Sequence, residues 1–338
     1  QNMEEFTLAS SMGPFALSVE LVQREGLLGD LGINITWRDS ACDPKAALGH
    51  FVTYLLDQRP DVVFGPPCTR AMMPVADLAA FQNIPIFSWV SNMHDLDNKT
   101  IKSTLVRAIA PLSSLGELLI FFCDQMKWSR VSMISTSGEF PEGMASFFRQ
   151  AFKEKDTFSV VREFNGVADM VSRQKIEEMY NTIKQDARII ILVIPKNEVR
   201  RYLVIAHDLG MTNGDFQFLY TERTVSDKTF LDEFTSRRFW QLGDEDDEKA
   251  RRGYHNLLYF TYHYLTEWSL DSDESTQAAL RVFGSDKTLP RPTPPDKFSR
   301  FLYDAFYLYA KAFNETMEMN QPPDGVHIFE ASKNKHFQ

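Results

Sequence analysis

The chain has 338 residues, enough for about two domains at roughly 150 residues each. Its 43% hydrophobic and 24% charged content excludes a disordered chain. Its 36 Lys and Arg against 46 Asp and Glu leave a net charge of −10, which argues against a nucleic-acid partner, because such a partner needs a basic face to displace phosphate counterions. No apolar run approaches the roughly 18 residues that a membrane helix needs. The chain opens at Gln1 with neither Met nor signal peptide and closes on Lys335-His336-Phe337-Gln338 without a cap or turn, so a piece of something longer is expected.

In chain order, Gly13 to Glu25 reads as a helix stopped by Gly26, followed by a short strand Asn34-Ile-Thr-Trp37. Pro44 to Asp57 is a second helix, with Ala47, Leu48, Phe51, Leu55 and Leu56 on one face. A buried strand Asp61-Val-Val-Phe64 ends in Gly65-Pro66-Pro67. A helix Met72 to Phe81, capped by Thr69, leads to a strand Ile84-Pro-Ile-Phe87. A boundary is placed at Arg107-Ala-Ile-Ala-Pro111.

The alternation then resumes: helix Ser113 to Met126, strand Val131 to Ile134, helix Gly143 to Lys155, strand Phe158 to Phe164, helix Lys175 to Gln185 and a central buried strand Arg188 to Ile194. Helix Glu198 to Leu209 stops at Gly210, and Phe216 to Tyr220 is the next strand. Two successive blocks of strand–helix alternation predict an α/β fold with parallel sheets covered by helices on both faces. Residues 243–252 form a charge run that reads as a solvated loop feeding a helix. Its adjacent carboxylates lack the alternate spacing and central Gly of a calcium loop. Residues 284–296 are a Pro-rich connector, and Phe298 to Phe313 is an aromatic helix whose stripe we take as core.

Three cysteines stand at Cys42, Cys68 and Cys123. Cys42 and Cys68 lie in turns bordering one strand–helix–strand unit. A disulfide between them would stabilise by roughly 3–4 kcal/mol on the chain-entropy account; two separate buried thiols is the other reading. Cys123 falls in a helical apolar pattern and reads as a buried core thiol. Sequons occur at Asn34, Asn98 and Asn314; each is a polar loop unless the protein is secreted. No G-x-G-x-x-G, Walker A loop or G-x-S-x-G elbow occurs, and no pair of histidines forms H-E-x-x-H. No residue nominates itself as catalytic and no metal set stands out. Two α/β lobes without catalytic motifs point to a binding cleft.

Several segments resemble the ligand-binding extracellular domain of receptor guanylate cyclases, of the natriuretic-peptide-receptor type. They are Phe64-Gly-Pro-Pro-Cys68, Pro74-Val-Ala-Asp-Leu-Ala79 and Asn83-Ile-Pro-Ile86, then Thr104-Leu-Val-Arg107 with Trp128-Ser-Arg-Val131. Ala187-Arg-Ile-Ile190, Ala206-His-Asp-Leu-Gly-Met-Thr-Asn-Gly214, Asp246-Asp-Glu-Lys-Ala-Arg-Arg-Gly-Tyr254 and Tyr303-Asp-Ala-Phe306 follow in order. The resemblance runs from about Gly13 to Phe313, and invertebrate members are the nearer likeness.

It implies a type I periplasmic-binding-protein-like fold of two three-layer α/β lobes joined by multiple crossings. Residues 1–108 plus about 250–330 would form the membrane-distal lobe, and residues 109–249 the other. It implies a Cys42–Cys68 disulfide, glycans at Asn34, Asn98 and Asn314, a homodimer, and an extracellular peptide or small-molecule ligand at the cell membrane. A return of the chain to the second lobe, a membrane helix, a kinase-like domain and a cyclase making cyclic GMP are implied beyond this chain. GTP and Mg or Mn belong to that cyclase, so no cofactor is expected here.

The chain also departs from the natriuretic receptors. Their chloride-binding turn has a glycine where this chain has Pro67, which lacks an N–H. Their tyrosine two residues after the second cysteine is Arg70, the arginine further along that helix is Asp77, and Cys123 lacks the partner of their second disulfide.

A second class, a solute-binding or amino-acid-sensing domain on the same fold, uses small hydroxyl residues and backbone N–H groups to hold a carboxylate. Here Ser88-Trp-Val-Ser91 puts bulky Trp89 and Val90 at the comparable place, which favours the receptor reading.

Overall fold

The computed structural model describes residues 7–153, 158–168, 170–221, 239–260, 271–284, 289–296 and 298–333. The chain divides into two compact units, Gln1–Pro111 with Trp268–Gln338, and Leu112–Glu267.

Unit 1 begins with α1 (Leu8–Glu25), capped by the Thr7 hydroxyl, which accepts from the Ser10 N–H. The helix starts five residues before the expected Gly13, so Pro14 lies inside it. Proline cannot donate to the carbonyl of Ser10 four residues back. The Ser299 hydroxyl donates to that carbonyl instead, at 3.1 Å, while the Ser10 hydroxyl donates to Asp296 at 2.6 Å. The helix therefore tolerates its proline because a distant segment supplies the missing donor. Gly26 ends α1 in the left-handed conformation at φ 65°.

The expected strand Asn34–Trp37 is not formed. No backbone partner lies beside it among the described residues, and an apolar alternation without a hydrogen-bonding neighbour makes no strand.

α2 (Pro44–Asp57) opens on Pro44, and the Asp43 carboxylate accepts from the Ala46 N–H at 2.7 Å. β1 (Val63–Phe64), α3 (Thr69–Phe81), β2 (Ile86–Ser88) and β3 (Leu105–Arg107) follow, and the strands form a parallel sheet in the order β1-β2-β3. Cys68, not Thr69, holds the cap position of α3, and it makes no side-chain capping bond.

Alternation along the strands sends Val63 and Ile86 to one face and Phe64 and Phe87 to the other. Phe51, Met72, Val75 and Ile86 form the core beneath α2 and α3. On the opposite face Phe64, Phe87, Phe15, Phe306 and Tyr309 interlock, with ring centroids 4.9–6.0 Å apart for Phe15–Phe306, Phe64–Phe87, Phe64–Tyr309 and Phe87–Tyr309.

Unit 2 contains α4 (Leu112–Gln125), β4 (Arg130–Thr136), α5 (Glu139–Lys153), β5 (Ser159–Val167), α6 (Arg173–Asp186), β6 (Ile189–Val193), α7 (Lys196–Asp208), β7 (Gln217–Thr221), α8 (Asp247–His255) and β8 (Leu257–Phe260). Its five strands are parallel in the order β5-β4-β6-β7-β8, so the winding reverses between β4 and β6. β6 is Ile-Ile-Ile-Leu-Val with every residue buried, as a central strand covered on both faces requires. Ile134, Ile190, Leu192 and Phe218 pack against Ile176, Tyr180, Tyr202 and Leu203 of α6 and α7.

The second passage out of this unit comes later than the expected residue 250. α8 is held to α7 by Arg200–Asp247 at 3.0 Å and by Lys249–Asp208 at 3.1 Å, and β8 pairs with β7, so both elements belong to unit 2. The charge run 243–252 thus feeds a helix, as its composition predicts, and its Asp244, Asp246, Asp247 and Glu248 are engaged by cations of the same unit.

Returning to unit 1, α9 (Ser272–Phe283), α10 (Ser299–Glu318) and α11 (Gly325–Ser332) complete the chain. α9 and α11 were not legible in the residue pattern. α10 carries the expected aromatic stripe, with Phe301, Phe306 and Tyr309 buried.

Asp304 on the same helix has no hydrogen-bond partner among the described residues, and burial pushes its carboxyl up to about 6 against the pull of Arg300. A carboxyl raised in the folded state stabilises it fully below pH 3.8, and that contribution is lost as pH rises through 6. Asp304→Asn is therefore expected to raise stability at pH 7 by about 2 kcal/mol and to flatten the decline between pH 4 and 6, read by denaturant midpoints across that range.

Candidate functional site

In open α/β sheets, ligands are met at the carboxyl ends of the strands. In unit 1 that edge is built by the loops after β1 and β2. β1 runs into Gly65, held at φ 89°, a left-handed backbone that glycine adopts without the strain an L side chain would bring. Pro66, Pro67 and Cys68 then lead into α3. Cys68 is bonded to Cys42, with Cα atoms 5.4 Å apart.

The loop after β2 folds onto this turn. The Ser91 hydroxyl contacts the carbonyl oxygens of Pro67 at 2.7 Å and Pro66 at 3.1 Å, and the Ser88 hydroxyl donates to the Ser91 carbonyl at 2.6 Å. Both hydroxyls are thus committed to the loop's own backbone. Trp89 is 5% exposed and Val90 is fully buried, so the edge offers no open cradle for a ligand carboxylate. The sequence assigned these serines no role; the structure shows them clamping the disulfide turn.

The charge reversal at Asp77 has a local answer: Asp77 pairs with Lys102 at 3.0 Å, and Lys102 is almost wholly buried. Arg70 is exposed on α3.

In unit 2 the corresponding edge lies where the winding reverses. The Ser135 hydroxyl donates to Asn165 Oδ1 at 2.8 Å, Asn165 Nδ2 donates to Glu163 at 2.6 Å, and Arg149 grips Glu163 through two nitrogens at 3.1 and 2.7 Å. Burial would raise the Glu163 carboxyl, but the bonds from Arg149 and Asn165 outweigh it and hold the group below the usual carboxylate range. The Gly138 N–H ahead of α5 donates to Glu142 of the same helix at 3.1 Å. Every polar group in this chain of contacts already has its partner.

At the opposite, amino-terminal edge of the same sheet a depression of about 700 Å³ is lined by Trp128, Arg130, Asp186, Arg188, Asp215 and Phe216. Its arginines hold the end of α6: Arg130 donates to the Asp186 carbonyl at 3.1 Å, and Arg188 donates to that of Lys184 at 2.6 Å.

Of the expected sugar acceptors, Asn34 and Asn98 are exposed. Asn314 lies in α10, where it donates to Glu318 at 2.8 Å, and the hydroxyl of its Thr316 is buried against the Ala312 carbonyl at 2.7 Å. Cys123 is a free buried thiol that burial pushes up to about 12, an inert group. Among the described residues no cluster of His, Cys, Asp and Glu could hold a metal, and no helix is long and apolar enough to cross a membrane. His263 and His336 lie outside the described residues.

A family profile described as the receptor family ligand binding region matches residues 12–338. The chain belongs to that family. It is 23% identical over 313 residues to atrial natriuretic peptide receptor 3 of Bos taurus, covering 90% of this chain and 56% of that protein. To guanylate cyclase 2G of Rattus norvegicus it is 23% identical, covering 86% of this chain and 26% of that protein. To receptor-type guanylate cyclase gcy-20 of Caenorhabditis elegans it is 22% identical, covering 91% and 30%.

The chain therefore spans about half of the first of these relatives and under a third of the two cyclases. Among solved structures it resembles two ABC transporter substrate-binding proteins of Desulfitobacterium hafniense. One, in complex with Leu, gives a TM-score of 0.58 at 14% identity; the other gives 0.61 at 15%. Each match covers 97% of this chain and 84% of the other. The fold is thus the periplasmic-binding-protein-like one, two α/β units on parallel sheets.

Proposed function

We propose that this receptor-family ligand-binding region is the extracellular, dimerising part of a receptor guanylate cyclase, and that it controls cyclic GMP synthesis in response to a peptide or other extracellular signal. The observation that carries the reading is the family match over residues 12–338, with receptor-type cyclases among the relatives that align along most of the chain. The Cys42–Cys68 bridge fits an oxidising, extracellular compartment. The exposed sequons at Asn34 and Asn98 are the glycosylation sites under this reading, and Asn314, with its threonine buried in a helix, is the least suited of the three. The GTP and the Mg or Mn of cyclase chemistry belong to a segment outside these residues.

The solute-binding alternative meets a physical obstacle. An amino-acid carboxylate needs free hydroxyl and N–H donors, and in unit 1 Ser88 and Ser91 spend theirs on the turn that Pro67, lacking an N–H, helps to form.

Sedimentation of the secreted chain, with melting scans in free leucine and other amino acids, separates the two readings. The receptor reading expects a two-chain species whose melting temperature none of these solutes raises. A single-chain species whose melting temperature rises by several degrees with one amino acid would overturn it.

A further inference from the structure

Two Asn-Gly pairs occur in the chain, Asn165-Gly166 and Asn213-Gly214, and the fold treats them differently. Asn165 lies inside β5. Its Oδ1 accepts from the Ser135 hydroxyl of β4 at 2.8 Å, and its Nδ2 donates to Glu163 at 2.6 Å. These bonds tie the amide to other side chains, and it would have to leave them to reach the nitrogen that follows it in the strand.

Asn213 lies in the exposed turn between α7 and β7. There the Asp215 N–H donates to Asn213 Oδ1 at 3.0 Å, and Asn213 Nδ2 donates to Asp215 Oδ2 at 2.7 Å. The first bond closes a ring through the whole of Gly214, so the amide carbon is folded over the Gly214 nitrogen. Gly214 sits at φ 97°, and a Cβ there would meet nothing within 4 Å. Among the described residues its N–H has no acceptor. The turn is anchored just upstream, where the Met211 N–H donates to the Ala206 carbonyl at 2.8 Å and the Thr212 hydroxyl bonds to His207 at 2.7 Å.

We propose that Asn213 is a self-modification site, at which the Gly214 nitrogen displaces the side-chain amide and leaves an aspartyl or isoaspartyl linkage. Hydroxide takes the Gly214 N–H proton. The nitrogen pair attacks Asn213 Cγ, an N–C bond forms, and the carbonyl π pair moves onto Oδ1. The Asp215 N–H already donates to that oxygen and stabilises the charge that develops on it. When the pair returns, the bond from Cγ to Nδ2 breaks, and the nitrogen leaves as ammonia with a proton from water. Water then opens the cyclic imide at either of its carbonyls. One water is consumed and one ammonia released; nothing is oxidised or reduced. The new carboxylate stands beside Asp215 and no longer donates to it. Gly214 and Asp215 line the depression at the amino-terminal edge of the sheet, so the product adds negative charge to a rim shared with Arg130 and Arg188.

The test is to incubate the folded chain and a guanidinium-unfolded sample at pH 7.4 in oxygen-18 water and to follow both sites by peptide mass spectrometry. An isoaspartyl methyltransferase counts the isoaspartyl product. In the unfolded chain both pairs lack their restraints and should react at similar rates. In the folded chain we expect position 213 to react on the order of tenfold faster than position 165, because one amide is held over its nucleophile and the other is held elsewhere. The rate at 213 should climb between pH 7 and 9, since hydroxide removes the Gly214 proton. Asn213→Gln, whose longer side chain has to close a larger ring, should lose the product with an unchanged melting curve. No labelled product at 213 in the folded chain, or a rate there no greater than at 165, overturns the proposal. So does a rate that is flat across that pH range, or a product that persists in Asn213→Gln.

Discussion

Replacing Cys42 and Cys68 together by alanine is expected to lower the stability of unit 1 by about 3.5 kcal/mol, the chain-entropy value for a bridge with a sequence separation of 26. The local structure makes the full value reasonable. The bridge joins the turn before α2 to the start of α3, two elements that share the core of Phe51, Met72 and Val75. Ala41 and Cys42 sit in left-handed backbone at φ 47° and 53°, a conformation that a tight tertiary constraint must hold. The pair therefore shortens the unfolded chain and fixes a turn that L-residues disfavour. A denaturant titration of the oxidised protein and the double variant checks this, with Cys123→Ser as a control for thiol loss alone. Equal midpoints for the oxidised protein and the double variant would contradict it.

Gly13→Val is expected to cost about 3 kcal/mol. A Cβ built on Gly13 lies 2.7 Å from the carbonyl oxygen of Ser275 and 2.9 Å from its carbonyl carbon. Those are backbone atoms of α9, so no rotamer change relieves the contact, and α9 must move off α1. Valine gains little helix propensity to offset the clash, and its branching fixes the side chain against it. Small residues, Ser10, Ser11, Gly13, Pro14 and Ser18, share the buried side of α1 with Met12, Val19 and Val22, and Gly13 marks the point of closest approach to α9. Unfolding midpoints of Gly13→Val and Gly29→Val distinguish close packing from backbone strain. Gly29 has open space around it and a φ of 58°, so its substitution bears the strain alone. Equal losses at both positions would refute the packing account.

The layered architecture was legible because each element carries its own signal: Pro44 and Asp43 at a helix start, Gly26 and Gly210 at helix ends, and an unbroken apolar run at β6. What was not legible depended on partners far away in sequence. Asn34–Trp37 has the composition of a strand but no neighbour to pair with. The first helix read as starting at Gly13 and not at Leu8, because the Ser299 hydroxyl that rescues the Ser10 carbonyl opposite Pro14 is 289 residues from it.

The bridge between Cys42 and Cys68 followed from the family likeness; the residues alone left separate thiols open. The candidate edge was half legible. The bulk of Trp89 and Val90 was readable, but the role of Ser88 and Ser91 was not, because their acceptors, the carbonyls of Ser91, Pro66 and Pro67, are backbone groups that no side-chain pattern reveals.

The measurement that tests the central claim most directly is cyclic GMP output in membranes of cells expressing the full-length parent protein, with residues 1–338 intact or deleted. The receptor-cyclase account predicts output above vector control and a clear change, in basal or stimulated level, when these residues are removed. Cyclic GMP no higher than vector control, or the same level with and without them, would contradict it.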